Sequence, residues 1–516
     1  MDILSFKPGH DGHIALLSDG NLKFSIEEEK DSGPRYGEIS QKLYLKALQH
    51  LEKAPDVIAA NGWFTDAFSS GYFGESEEKT ITEKIHLAGR EFEFFSSTHE
   101  RSHILCSYGL SPFPQGQACY ALVWEGLLGA FYKIDEKLRI TKLGVPLEKP
   151  GLKYQLLYAI ADKSLPHGAQ MRMEDAGKLM ALVSYGKSGP PNQSEADLIN
   201  HIFAKQDFAY TANKAEFSQN PFCNVGIESP IFKQVARKFS DALFERFLHF
   251  AQENLNENLP LLISGGCGLN CDWNSNWKKS GLFSDVFVPP CTNDSGAAIG
   301  TAIDAQRHYT GSAKVEWNAY AGEPFVEDNA DMSGIIITDL DLRELARFLQ
   351  QGNVIAWVQG RYEIGPRALG NRSIIAMPFS SDIHQRLNAI KEREGFRPIA
   401  PICIEEDIDK YFENHGPSPH MLYFQRVLTP NLPAITHVDG SARLQSVNAQ
   451  QNPEAYALLR AFKELTGYGV LCNTSLNFKG RGFINRMSDL VAYCKNRDLD
   501  GFVVGKKFYR IERKIG

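Results

Sequence analysis

One pattern occurs twice in this chain and restricts the folds open to it. Three short apolar segments are joined by tight turns and then followed by helical stretches. Residues 3–6, a turn over Lys7-Pro-Gly-His-Asp-Gly12, residues 13–17, the Ser18-Asp-Gly-Asn21 hairpin signal and residues 22–26 make the first copy. Cys119–Trp124, the Glu125-Gly126 step, residues 127–134, a turn at Asp135-Glu-Lys137 and residues 138–143 make the second. Apolar runs bounded by Gly, Asn and Asp turns predict antiparallel strands. At 516 residues the chain exceeds the size, roughly 250–300, at which one hydrophobic core stops growing, so two domains are expected.

Between and beyond the repeats the periodicity changes. Residues 231–255 predict a long amphipathic helix entered through Pro230, with Phe232, Phe239, Phe244, Phe247 and Phe250 as core. It feeds a strand over Leu261–Ser264, and the stretch Ser264-Gly-Gly-Cys-Gly-Leu-Asn270 opens where an open α/β sheet places its ligand site. Glycine turns let backbone approach phosphates closely. Gly265, Gly266, Asn270 and Asp294 (in the Asn293-Asp-Ser-Gly296 turn) are therefore nucleotide-binding candidates, as is Lys178, which also reads as a lysine snorkelling at a helix end. The duplicated pattern resembles an actin-like ATPase core, whose two halves face each other across a nucleotide cleft. Residues 320–332 turn polar and acidic and predict a linker, followed by a helix over 340–350 and a strand over 354–358.

Two clusters carry chemistry. His99 and His103 are spaced H-x-x-x-H, which puts both imidazoles on one helix face where they can grip a divalent metal. The region after residue 360 concentrates cations among glycines and prolines: Arg367, Lys391, Arg397 and Arg443, with Asn473 and Ser475 nearby. Arginine presents a fork that matches phosphate oxygens and lysine a point charge, which favours an anionic substrate site over a solvated basic face.

Composition excludes other classes. A net charge of −7 gives no basic footprint for nucleic acid. No window approaches the ~18 apolar residues of a membrane span, and the first residues lack a signal-peptide pattern. Nine cysteines without C-x-x-C pairs read as reduced thiols. The expectation is a cytoplasmic protein, monomer or homodimer, with small-molecule partners and no nucleic-acid or membrane partner.

The chain resembles the O-carbamoyltransferases that decorate antibiotics and nodulation factors, most nearly the kind acting on a hydroxymethyl cephem. The resemblance rests on Phe6-Lys-Pro-Gly-His-Asp-Gly12, residues 27–30, His99/His103, Gly177-Lys-Leu-Met180, the Gly265 loop, Asn293-Asp-Ser-Gly296, Gly365-Pro-Arg-Ala-Leu-Gly370 and Cys472-Asn-Thr-Ser-Leu-Asn477. It implies an α/β protein with a duplicated actin-like ATPase domain, similar to that of tRNA threonylcarbamoylation, over residues 1–328. A YrdC-like α/β domain over 329–516 would follow. It also implies carbamoyl phosphate as donor, ATP (with Mg2+) as activator, and a metal on His99, His103, Glu125 and Asp294. Iron is implied by resemblance, while this donor set also suits manganese or zinc. Where the family often has Asp-Gly, this chain has Glu125-Gly126, whose extra methylene moves the oxygen by a bond length.

The implied chemistry assigns roles. Activation of carbamoyl phosphate on ATP gives a carbamoyl-adenylate and releases pyrophosphate. Joining two polyanions needs positive charge, from Arg367, Lys391, Arg397 and Arg443, with Asn473 and Ser475 holding oxygens. Transfer to an acceptor hydroxyl needs a base, and His10, between Gly9 and Asp11, suits that task. Acceptor specificity is expected around 61–80 and 151–172, with Tyr72, Phe73, Tyr154 and Tyr158. The rival readings are a sugar kinase, a tRNA threonylcarbamoyl transferase, and a non-catalytic nucleotide sensor.

Overall fold

The computed structural model describes residues 1–87, 89–207, 210–413 and 416–512. Two compact units divide the chain: residues 1–115, 289–436 and 441–516 form the first, residues 116–288 with 437–440 the second.

The first unit contains a six-stranded sheet. The strands Asp2–Lys7, His13–Ser18 and Asn21–Glu27 form the expected antiparallel meander, with Phe6 opposite Ile14 and Ile14 opposite Ile26. Asp2–Lys7 then pairs in parallel with Val57–Asn61, which pairs in parallel with Arg90–Ser97. Alternate residues Leu4, Ile14, Leu16, Phe24 and Ile26 face one cluster with Leu43 and Ala47 of the helix Gln41–Gln49, as the twofold period of a strand requires.

The second unit repeats the motif. Cys119–Trp124, Gly129–Ile134 and Ile140–Gly144 form an antiparallel meander, and Cys119–Trp124 pairs in parallel with Leu261–Ser264. The recurrence of third-second-first-fourth strand order in both sheets is the duplicated core expected from sequence. The long helix spans Pro230–Asn254, with Ser229 capping it by accepting the Phe232 amide at 3.3 Å. Residues 151–161 belong to a helix, and residues 162–172 hold no helix or strand. Pro150–Ala161 is a helix in which Tyr154 and Tyr158 are buried, Tyr154 lying edge-on to Trp273 at 5.2 Å. These tyrosines are core, which corrects their assignment to an acceptor loop.

The first unit also carries a mixed eight-stranded sheet built from residues 335–511. Along its central strand Ile355–Val358, Ala356 and Val358 join one apolar cluster while Ile355 and Trp357 join another, so both faces are covered. The helix expected at 340–350 runs over Leu342–Gln350. Residues 320–332 hold no helix or strand, yet they are tied down: the Ser25 amide donates to the Ala321 carbonyl and the Val326 amide to the Asn485 carbonyl.

Candidate metal and anion sites

The helix His99–Leu110 is buried along its whole length, and Thr98 caps it by accepting the Arg101 amide at 3.2 Å. His99 and His103 therefore project from one face as expected. The His99 Nδ1 meets Asn61 Oδ1 at 3.1 Å, and Asn61 Nδ2 donates to Ser102 Oγ at 2.9 Å. With its amide nitrogen engaged, Asn61 offers only its oxygen to the ring. The proton therefore sits on Nδ1, and Nε2 keeps its lone pair. That Nε2 lies 3.1 Å from His103 Nε2, and Asp294 Oδ1 lies 3.5 and 3.4 Å from the two nitrogens. Bonds of about 2.0–2.2 Å to one shared ion put neighbouring ligand atoms about 3.0–3.5 Å apart, so this buried trio fits a divalent cation. Two imidazoles and a carboxylate do not choose between iron, manganese and zinc.

Three residues that the sequence did not single out organise this centre. Lys7 Nζ is buried 2.9 Å from Asp294 Oδ2 and 4.1 Å from the centre of the Trp63 ring, and it also donates to the His10 carbonyl. Burial favours the neutral form of Asp294, but Lys7, His99 and His10 outweigh it and hold the carboxyl well below the usual range. His13 accepts the Ala298 amide on Nε2 at 3.0 Å, so its Nδ1 carries the proton and donates to the Asp11 carbonyl at 3.1 Å. Burial drives its pKa down to about 3, so this ring is a neutral brace between the His10 turn and the Asp294 turn. Asn61 is the third.

His10 is the partly open member, with a side chain 32% exposed. Its Nδ1 is 3.0 Å from Asp11 Oδ2, its Nε2 3.6 Å from Asp294 Oδ2, and its ring stands edge-on to Trp63 at 5.1 Å. Burial opposes protonation, yet Asp294 and Asp11 raise its pKa above the ordinary histidine value. Tyr72 stacks on His99 with centroids 4.4 Å apart, and exposed Phe73 packs on Tyr72 at 4.8 Å.

The remaining expected residues fall in both units. Glu125 belongs to the second unit, where it follows Cys119–Trp124, is buried, and donates its amide to the Leu128 carbonyl at 2.8 Å. In the same unit Gly265 has φ +99, and a Cβ there would meet the Trp124 carbonyl oxygen at 2.5 Å, so only glycine turns this corner. Around Gly266 there is open space. Asn270 caps the helix Cys271–Ser280 by accepting the Asp272 amide at 3.1 Å, and Lys178 pairs with Asp175 at 3.0 Å.

In the first unit, Lys391 follows the helix Ser381–Ile390 and donates to the carbonyls of Ser475 at 2.6 Å and Asn477 at 3.0 Å. Ser475 Oγ donates to Asn477 Oδ1 at 2.6 Å, and Asn473 Nδ2 donates to Gln445 Oε1 at 2.9 Å. Burial, together with Arg393, Arg397 and Arg35, pushes the Lys391 pKa well below the lysine range. Arg393 is pushed down in the same way by burial, Arg397 and Arg443. Arginines keep their charge, so these shifts register a concentration of positive charge that an anion would relieve. Arg367, Arg397 and Arg443 are each half-buried. Arg393 and Arg35 join the set the sequence nominated. Arg393 had a signal in its place between Lys391 and Arg397, whereas Arg35 had none.

The family description "Carbamoyltransferase N-terminus" matches residues 64–303 and "Carbamoyltransferase C-terminus" residues 346–510. The chain is 48% identical to the 3'-hydroxymethylcephem-O-carbamoyltransferase of Amycolatopsis lactamdurans, covering 99% of each chain. It is 30% identical to nodulation protein U of Bradyrhizobium diazoefficiens, covering 96% of this chain and 95% of that one. Among solved structures, the archaeal actin homologue Ta0583 is similar at 12% identity and a TM-score of 0.30, covering 60% of this chain and all of that one. Among the described residues no helix is long and apolar enough to cross a membrane.

Proposed function

The chain belongs to the carbamoyltransferase family and is an enzyme of carbamoyl transfer; from that premise we propose that it activates carbamoyl phosphate with ATP and carbamoylates a hydroxyl of a small natural product. A hydroxymethyl cephem is the first acceptor to try, because the 48% identical relative is named for it. We assign transfer to residues 1–328 and adenylate formation to 329–516.

The reaction divides into activation and transfer. Water hydrolyses carbamoyl phosphate to carbamate and inorganic phosphate, and the carbamate oxygen then attacks the α-phosphorus of ATP as pyrophosphate departs. Arg367, Lys391, Arg397 and Arg443, joined by Arg393, offset the charge of the two polyanions, and Asn473 and Ser475 hold oxygens. In transfer, the acceptor oxygen attacks the carbamoyl carbon and AMP leaves. His10 takes the hydroxyl proton on Nε2, with Asp11 holding Nδ1–H and stabilising the imidazolium that forms. A divalent metal on His99, His103 and Asp294, with Glu125 as the fourth ligand on the strength of the family resemblance, would supply Lewis-acid stabilisation of an anionic oxygen. Lys178, Gly265, Gly266 and Asn270 are assigned to the adenine nucleotide.

The observation that carries this reading is the density of cations around buried Lys391, among which Arg393, Arg397 and Arg35 depress its pKa after burial itself. Pyrophosphate release from ATP that depends on carbamoyl phosphate tests it. A protein that makes none, or that makes ADP instead, does not work this way.

A further inference from the structure

A second network, outside the metal centre, grips the turn that presents Arg367. Glu27 closes the strand Asn21–Glu27, and its Oε1 accepts the Gly365 amide at 2.8 Å. Lys30 Nζ donates to the carbonyl of the same Gly365 at 2.7 Å. The two grips pair with each other at 3.2 Å, Lys30 also meets Glu29 at 3.3 Å, and its ammonium sits 4.0 Å from the centre of the Phe483 ring. Glu27, Glu29 and Lys30 are all buried.

Gly365 leaves this turn little freedom. It has φ +81, and a Cβ would meet the Pro290 carbonyl oxygen at 2.3 Å. Pro366 follows with a fixed φ, so the orientation of Gly365 passes to Arg367 through few soft torsions. The cluster has a second arm. Glu29 pairs with Arg35 at 2.8 Å, and the segment around Arg35 is stitched to residues 480–483. The Ser32 amide donates to the Phe483 carbonyl at 2.9 Å, the Gly482 amide to Gly33 at 3.0 Å, and the Arg35 amide to Gly480 at 3.2 Å. Arg35 is also one of the charges that depress Lys391. Burying such a cluster costs several kcal/mol per ion before pairing, so it is a poor device for stability alone and a good one for fixing a single geometry.

We propose that Glu27 and Lys30 are positioning residues for the activation step, holding both polar groups of Gly365 so that Arg367 meets the phosphoryl oxygens. This rests on the reading that Arg367 serves activation. The test uses the full-length protein and carbamoyl-phosphate-dependent pyrophosphate release, in a double-mutant cycle between Lys30→Met and Arg367→Ala. Lys30→Met should lower kcat/KM by about 10²-fold, the order expected when a binding group is displaced by an ångström, and Lys30→Arg should recover most of it. In the Arg367→Ala background Lys30→Met should cost little more, because the group it positions is gone.

Equal losses in both backgrounds, or none in the wild type, would overturn the proposal. Wild-type release by Arg367→Ala would instead overturn the reading beneath it. If Lys30→Met does not fold, Glu27→Ala, which removes the acceptor of the Gly365 amide, takes its place in the cycle. A loss confined to the Arg367 background supports positioning, and equal losses in both backgrounds overturn it.

Discussion

His99 and His103 point their Nε2 atoms at each other across 3.1 Å, and the same carboxylate oxygen of Asp294 lies within 3.5 Å of both. Two ring nitrogens and one carboxylate oxygen converging at these distances form the donor set that a shared divalent cation takes. His99→Ala or His103→Ala should therefore give folded protein with most of its divalent metal lost by elemental analysis. Asn61→Ala, which removes the oxygen that fixes the His99 tautomer, should weaken metal binding by about 10–100-fold. Wild-type metal content in all three variants contradicts the ligand set.

Lys7 and Asp294 form a buried pair at 2.9 Å. Lys7→Met strands the carboxylate, and breaking such a pair costs about 3–5 kcal/mol. Denaturation with chelator present should reveal that loss. Added divalent metal should return part of it by supplying the missing positive charge.

His13 predicts a pH dependence. Its folded pKa of about 3 lies below the unfolded value, so between pH 6.5 and about 3 the unfolded chain binds a proton that the folded chain refuses. The contribution is complete above the unfolded pKa and falls with pH by about 1.4 kcal/mol per unit through that window. Stability measured by denaturant from pH 7 to 4 should decline less steeply in His13→Gln. Equal slopes would mean that His13 is protonated in the fold.

His10→Asn separates the two half-reactions. Pyrophosphate release should persist, while carbamoylated product falls by about 10²–10⁴, the usual worth of a positioned base. Transfer at the wild-type rate would leave His10 as a turn residue only.

What was legible in the sequence was local. The meander strands are marked by turn residues a few positions apart, and the histidine pair by a single helical turn, so the strands within residues 3–26 and 119–143 and the pair His99/His103 could be placed from spacing alone. Asn61, Lys7 and His13 act across strands and a distant helix start, contacts with no sequence spacing to betray them. The helix within 151–172 is a different case. Proline is at home in the first helical turn, and Pro150–Ala161 begins there. Arg35 reached the cation cluster only because the segment after Glu29 is stitched to residues 480–483.

Two-step carbamoyl transfer is tested most directly by following ATP labelled in its terminal phosphates through a single turnover with carbamoyl phosphate and no acceptor. Labelled pyrophosphate is expected in the wild type and in His10→Asn, with a rate lower by about 10²–10³ in Arg367→Ala and Lys391→Ala. Labelled phosphate with ADP, or pyrophosphate formed equally well without carbamoyl phosphate, would contradict an adenylate intermediate.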